Sequence, residues 1–502
     1  MNGKAVDDMN APSALCLTVP NNRLRKEPSW SKPAVSAPIP FCWFLSMRLV
    51  IVFCVAHFFL IDFASADERP NIVYIMLDDA GYGDLSCYGQ QQFATPNVDR
   101  LAAEGMKFTQ HYAGSTVCAP TRCCLMTGLH TGHGYVRGNR EVKPEGQAAM
   151  PADIVTIPRL LQQAGYVTGA FGKWGLGAPG SVSDPAEHFN EFFGYNCQRE
   201  AHRYYPDHLW RNRDRVELDG ETWTGRLIMD EALRFVRDQQ EKPFFLFLPV
   251  TIPHAAMQAP EADITMWRQK FPQFSERIGR YAGTQTKNPV AAFAAMMTVM
   301  DEGIGALLRL LQELNIDEDT IIFFTSDNGP HREGGHHPKF FDSNGPLKGF
   351  KRDLYEGGIR VPLLVRWPGR IKAGSQSDHQ SAHWDALPTI CELAGIDTPE
   401  QTDGISMLPT LTGQGTQRQH EYLYWEFYEQ RGRRAVRFGN WKAVQQPVAS
   451  ANQRESVELY DLSIDPGEEN DIAAAHPERV ERAVGYFADA HTPSPNWQFK
   501  SR

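Results

Sequence analysis

The stretch Cys118-Ala-Pro-Thr-Arg122-Cys-Cys-Leu-Met-Thr-Gly128 places a proline two residues and an arginine four residues after a cysteine. An arginine about one helical turn on can hold an anion against the sulfur, because a guanidinium presents several fixed donors to an oxyanion. A helix opening at Cys118 would add backbone N–H groups pointing at the same anion. Two acidic pairs lie far away in the chain: Asp78-Asp79 follows the apolar run NIVYIML, and Asp327-Asn328 follows TIIFFTS. They supply three carboxylates and an amide oxygen, a hard donor set that suits Ca²⁺ or Mg²⁺ and not a thiophilic metal. Carboxylates side by side repel unless a cation neutralises them. Lys173 in FGKWGLG, His254 in TIPHAAMQ and Lys351 in GPLKGFKRDLYEGGIRVP add two fixed cations and one group that titrates near neutrality.

The rest of the chain has to bring these residues together. Apolar runs at 71–77, 106–112, 166–171, 244–250, 320–326 and 361–366 read as buried strands. Helical patterns lie between them: from 97 to a stop at Gly105, then 157–164, 226–240, and 291–314 with a break near Gly303. Strands alternating with helices predict a largely parallel sheet covered on both faces. Asp78, Asp79, Lys173, His254, Asp327 and Asn328 then all fall past strand C-terminal ends, the edge where open α/β sheets bind ligands. After about residue 415 the texture changes to short aromatic segments at 422–427, 434–438, 441–444 and 457–461. These predict a small antiparallel sheet, followed by a helix over 477–490, with the boundary near 412–418.

The eleven residues from Cys118 to Gly128 resemble the sulfatase signature, and the order of the other elements from about Arg69 onward is similar to that family. The resemblance implies an alkaline-phosphatase-like α/β/α sandwich with a large mixed, mostly parallel sheet and a small C-terminal antiparallel sheet with a helix. It implies that a formylglycine-generating enzyme oxidises Cys118 to Cα-formylglycine (3-oxoalanine), whose hydrate attacks sulfur; its second hydroxyl then collapses to aldehyde and frees sulfate. It implies one Ca²⁺ per chain, held by Asp78, Asp79, Asp327, Asn328 and the oxidised position 118. Arg122, Lys173 and Lys351 would contact the sulfate, and His254 would protonate the leaving oxygen. Spacing back from Glu356 selects Lys351 over Lys348, which reads as a solvated or substrate-rim charge. Glu356-Gly357-Gly358 and Arg360 read as a tight turn with a fixing charge pair. Thr121 stands for the commoner serine and is expected to be tolerated.

In one place the sequence departs from the family. Gly175 stands where most relatives carry the histidine that contacts the formylglycine hydroxyl and helps expel sulfate. His133, His331, His336, His337 or water are the candidates to replace it. The branch resembled is that of arylsulfatases and N-acetylgalactosamine-6-sulfatases, so the expected activity is sulfuric ester hydrolysis on a sulfated small molecule, polysaccharide or glycosaminoglycan. The alternatives are a phosphodiester or phosphonate monoester hydrolase of the same fold, and an inactive protein that binds sulfated glycans. Rim loops at 331–342, 131–139 and 202–210 are candidates to line the substrate site.

Composition sets the remaining limits. A formal charge of −10 over 502 residues argues against a nucleic-acid surface, so an anionic substrate needs a local positive site. Residues 1–46 show no sustained apolar period; Met47-Arg48, an apolar run over 49–61 and Ala64-Ser65-Ala66 then read as a secretory signal peptide. The expectation is a start-site extension at 1–46, a signal peptide at 47–66, a catalytic domain at 67–415 and an α+β subdomain at 416–502. The protein is expected to be exported (periplasmic, secreted or lysosome-like), with an uncleaved membrane anchor as the alternative. Export permits disulfides. Of nine cysteines six lie beyond residue 66, and conversion of Cys118 leaves an odd number.

Overall fold

The computed structural model describes residues 69–448 and 457–499, which belong to one compact unit. The extension and signal peptide read over 1–66 lie outside the described residues. The strands are β1 (Asn71–Leu77), β2 (Met106–Tyr112), β3 (Val167–Lys173), β4 (Glu191–Tyr195), β5 (His208–Arg211), β6 (Asp214–Glu217) and β7 (Phe244–Pro249). A separate hairpin, β8 (Ile278–Tyr281) and β9 (Thr284–Lys287), follows. Next come β10 (Thr320–Ser326), β11 (Arg360–Arg366), β12 (Ser375–Ser377) and β13 (Ser381–Ala382), then β14 (Leu423–Phe427), β15 (Arg433–Phe438), β16 (Trp441–Gln445) and β17 (Val457–Asp461).

The large sheet runs β12-β2-β11-β10-β1-β7-β3-β4-β5-β6, with β13 also on β2. Its centre, β10-β1-β7-β3-β4, is parallel throughout. β1 shows why the sheet is covered on both faces. Its seven residues are all buried and side chains alternate along a strand. Val73, Ile75 and Leu77 pack with the helices Thr224–Gln239 and Pro289–Glu313, whereas Ile72, Tyr74 and Met76 pack with Cys118–Thr127 and Ala386–Leu393.

One detail differs from the sequence reading. The helix Pro289–Glu313 is unbroken, and Gly303 serves close packing: a Cβ there would lie 2.7 Å from the Met229 methyl carbon. This helix is long and apolar enough to cross a membrane by length and composition, yet 78% of its apolar window is buried inside the fold. The sheet is mixed, as expected, and β11 runs antiparallel to both β10 and β2. Its N-terminal end therefore sits at the rim where its neighbours have their C-terminal ends. The loop leading into it, residues 345–359, thus arrives at the same rim.

The C-terminal segments form the four-stranded antiparallel sheet β14-β15-β16-β17. Leu423, Trp425 and Phe427 of β14 face Tyr112, Val117 and Trp384, while Tyr424 faces the final helix Pro477–Asp489. Lys442 of β16 is fully buried between Glu356 (2.9 Å) and Glu468 (3.0 Å). Glu356 also accepts from the Tyr112 hydroxyl at 2.7 Å and pairs with Arg360 at 3.2 Å. Breaking a buried ion network of this kind is strongly destabilising, so the small sheet fixes the loop into β11. Lys348 belongs to the same junction. Its ammonium donates to the Glu468 carbonyl at 2.8 Å and lies 4.1 Å from the Tyr355 ring centre, so it is an anchor and not a rim charge.

Candidate active site

The pairing order explains how the distant residues meet. β1 and β10 are in register through Leu77 and Ser326, so Asp78-Asp79 and Asp327-Asn328 emerge side by side. β7 flanks β1 on the other side and leads to His254, and β3 beyond it ends at Lys173. β2 precedes the helix Cys118–Thr127, and the loop into β11 delivers Lys351. Asp78, Asp79, Arg122, Lys173, Asp327 and Asn328 all have no exposed surface.

Within this cluster each carboxylate meets a cation. Lys173 donates to Asp78 at 2.6 Å and Lys351 to Asp79 at 2.8 Å. Arg122 is fastened at both ends, Nη1 to the Lys173 carbonyl at 2.6 Å and Nη2 to Asp327 at 3.0 Å, which leaves Nε–H buried without a partner. The Cys118 thiol lies 3.5 Å from Asp78. Burial would raise the Asp78 carboxyl, but Lys173, His254, Arg122 and Lys351 outweigh it and hold the group well below the usual carboxylate range. Asp327 goes the other way: burial and then Asp78 push it up to about 7 despite Arg122. Burial pushes the Cys118 thiol upward, and Lys173 and Lys351 do not offset it. Burial thus disfavours a thiolate at an unmodified Cys118.

His254 donates from Nδ1 to the Ala255 carbonyl, which leaves the Nε2 lone pair to accept from Lys351 at 3.0 Å. Burial and then Lys351 hold its pKa well below the ordinary histidine value. An anion bound beside Lys351 offsets that charge and raises the proton affinity of Nε2.

The donors fit a hard divalent cation. Ligand atoms of Asp78, Asp79, Cys118 and His254 all lie within 4.8 Å of one another. Asn328 turns its amide N–H to Asp79 at 2.8 Å, while its Oδ1 is buried with no partner. An orphaned buried carbonyl beside three carboxylates is a hard oxygen donor set that suits a divalent cation.

The helix start offers less to an anion than its position suggests. The Ala119 N–H is taken by Asn139 at 3.1 Å, Pro120 has none, and Thr121 N–H turns back to the Val117 carbonyl at 3.4 Å. Positive charge at this site comes from side chains. Thr121 in turn bonds both the N–H and the carbonyl of Ser115, at 2.9 and 3.0 Å, a role the hydroxyl of serine shares.

Three of the four histidines considered for the place at Gly175 are otherwise engaged. His133 pairs with Asp403 at 2.8 Å, His336 packs against Phe293, and His337 caps the short helix Pro338–Phe341. His331 lies on the His254 side, with ring centres 5.8 Å apart. Gly175 itself, at φ 74°, faces Gln198. In the loop 202–210, His208 and Trp210 both bond Glu145, whereas His202 stacks on His254. The loop 202–210 was a candidate lining segment and His202 does reach His254, whereas Gln198 was not legible as a site feature, since it lies in no motif and its contact with Gly175 is tertiary. None of the six described cysteines is bridged.

A three-layer α/β sandwich with carboxylates and cationic side chains buried together at its sheet edge is a hydrolase architecture of the alkaline-phosphatase-like fold. A sequence-family model for Sulfatase matches residues 70–396, and one for the N-sulphoglucosamine sulphohydrolase C-terminal region matches 348–483. The chain belongs to the sulfatase family and is a sulfuric ester hydrolase. It is 34% identical to N-acetylgalactosamine-6-sulfatase of Canis lupus familiaris over 70% of this chain and 67% of that one. It is 32% identical to arylsulfatase A of Homo sapiens, over 82% and 85%. Among solved structures, Ps i-CgsB in complex with k-i-k-neocarrahexaose superposes with a TM-score of 0.73 at 27% identity, covering 86% of this chain and 95% of that one.

Proposed function

We propose that this chain is an exported, Ca²⁺-dependent sulfatase that uses Cys118 matured to Cα-formylglycine to cleave a sulfate ester from a glycan. The observation that carries the reading is the buried meeting of Asp78, Asp79 and Asp327 with Arg122, Lys173 and Lys351 around Cys118. Relatives named for N-acetylgalactosamine 6-sulfate and a neighbour solved with an oligosaccharide support a glycan as the alcohol.

Asp78, Asp79, Asp327 and Asn328 would hold the cation, which when bound neutralises the carboxylates and polarises a sulfate oxygen. The hydrated aldehyde at 118 would supply the attacking oxygen together with a geminal oxygen for sulfate release, which neither serine nor cysteine has. Sulfate esters hydrolyse slowly, so the barrier must fall by something on the order of 15–20 kcal/mol. Arg122, Lys173 and Lys351 contribute most of this as charge fixed before the reaction, in a site closed to water. With sulfate bound beside Lys351, His254 would hold a proton at Nε2 for the departing alkoxide, an effect of about 10²–10⁴-fold. The protein part between 416 and 502 keeps Lys351 in place through Lys442 and Glu468.

The test is tryptic mass spectrometry of the Cys118 peptide after expression with a formylglycine-generating enzyme, paired with kcat/KM on nitrophenyl sulfate and on a nitrophenyl phosphodiester. Conversion with a sulfate preference is expected. Unmodified thiol throughout, or a large phosphodiester preference, overturns the reading.

A further inference from the structure

The segment from Asn196 to His202 is anchored tightly yet carries an unusual concentration of unsatisfied polar atoms. The Tyr195 hydroxyl donates to the Arg203 carbonyl at 2.6 Å, and the Tyr204 hydroxyl bonds the carbonyls of Thr251 and His254 at 2.5 and 3.0 Å. Between these two anchors, Gln198 Nε2, His202 Nε2 and both side-chain atoms of Asn196 are buried with no partner. Each orphaned polar group costs about 1–3 kcal/mol, so several together in a fixed segment call for a missing partner.

Position says what that partner is. A Cβ at Gly175 would lie 3.3 Å from both Cγ and Nε2 of Gln198, so the carboxamide fills the space into which a side chain at 175 would project. The His202 ring lies flat on His254, with centres 4.0 Å apart and planes 3° from parallel. The segment therefore borders the group that faces the leaving oxygen. Its orphans include donors on Gln198 and both a donor and an acceptor on Asn196, a mixture that a hydroxyl satisfies and an anion does not. An aryl leaving group has no such hydroxyl. Neighbouring oxygens on a sugar ring are about one hydrogen-bond length, ~2.9 Å, apart. With one oxygen at His254, its neighbour falls within reach of a ring stacked 4.0 Å away.

We propose that Gln198 and His202 recognise the alcohol half of the ester through a free hydroxyl on the carbon next to the sulfated one, which makes the enzyme selective for sugars sulfated at a ring hydroxyl over both aryl sulfates and 6-sulfates, whose neighbouring carbon bears the ring oxygen instead. This rests on the reading of the site as a sulfatase with His254 on the leaving-group side. The matured enzyme is assayed on nitrophenyl sulfate and on a panel of monosulfated monosaccharides, and the best sugar is compared with its counterpart lacking the adjacent hydroxyl. His202→Phe keeps a stacked ring without nitrogen, and Gln198→Leu tests the same wall without touching the stack. In each variant the ratio of kcat/KM, sugar over aryl sulfate, is expected to fall at least about 30-fold, as when a substrate hydroxyl loses its protein partner. The deoxy sugar is expected to be poor for the wild type and not further impaired in the variants. Equal loss on sugar and aryl sulfate, an unchanged ratio, or an adjacent hydroxyl without effect on the wild type overturns the inference. A wild type that cleaves no sulfate ester of either kind, with Cys118 converted, overturns the parent reading instead.

Discussion

Arg122→Lys keeps the charge at its position and removes only the fork. The guanidinium spans two fully buried acceptors, the Lys173 carbonyl at 2.6 Å and Asp327 at 3.0 Å. A single ammonium on a shorter stem reaches one of them. Losing one hydrogen bond from a charged donor costs about 1.5–3 kcal/mol, and the acceptor left behind adds about 1–3 kcal/mol. The sum, roughly 2.5–6 kcal/mol, brackets the usual cost of about 3–5 kcal/mol for opening a buried ion pair. At about 1 °C per kcal/mol for a fold of this length, the thermal midpoint should fall by about 3–6 °C. In the proposed mechanism the same fork would fix a positive group at the transferring sulfuryl, where one preorganised donor is worth about 10²–10³ in kcat. The assay is kcat and KM on nitrophenyl sulfate, with conversion of Cys118 in the variant verified first by mass spectrometry. A fully converted variant within fivefold of wild-type kcat, at an unchanged midpoint, would refute the argument that the two-ended clamp matters and not the charge alone.

Three further outcomes are expected. Chelation should abolish turnover and lower the midpoint, and Ca²⁺ should restore both where Zn²⁺ does not, because the site offers oxygen donors; calorimetry with and without chelator reads this. Gly175→His should destabilise the protein, since φ 74° costs a non-glycine residue about 1–2 kcal/mol and the new Cβ crowds Gln198 at 3.3 Å. Adding Gln198→Ala should relieve the crowding, so that the two changes are not additive in a denaturation cycle. Asp84 is buried and accepts from Gly81 N–H at 2.7 Å while its second oxygen has no partner, and burial pushes its carboxyl from 3.8 up to about 7. Its raised value means that its contribution is fully present below about pH 3.8 and is lost as pH rises through 7. The midpoint of Asp84→Asn relative to wild type should therefore climb from pH 4 to 7 and level off above, by at most about 4 kcal/mol at 1.36 kcal/mol per pKa unit.

Much of the framework was legible because it depends on local pattern. Apolar β-rich runs ending in Asp78-Asp79 and Asp327-Asn328 mark strand ends whatever they pair with, and β10 and β17 begin and end at the residues read from the pattern. The signature at Cys118 and the resemblance of the whole chain pointed to the sulfatase family, and the change of texture near residue 415 pointed to the small antiparallel sheet. Other features depended on which surfaces meet. Nothing local distinguishes a strand that will run antiparallel, yet the direction of β11 is what carries Lys351 to the rim. Lys348, three residues before it and equally charged, is turned by the C-terminal sheet into an anchor on Glu468. Asn139 removes an N–H that the helix start offers to an anion, and Gln198 fills the space beside Gly175. By itself the sequence determined which residues have the chemistry and where strands stop, since periodicity and residue type act over a few positions. Only the tertiary structure decided which of those residues share one buried volume, because strand order and side-chain contacts across a hundred residues or more are settled by packing the entire sheet at once.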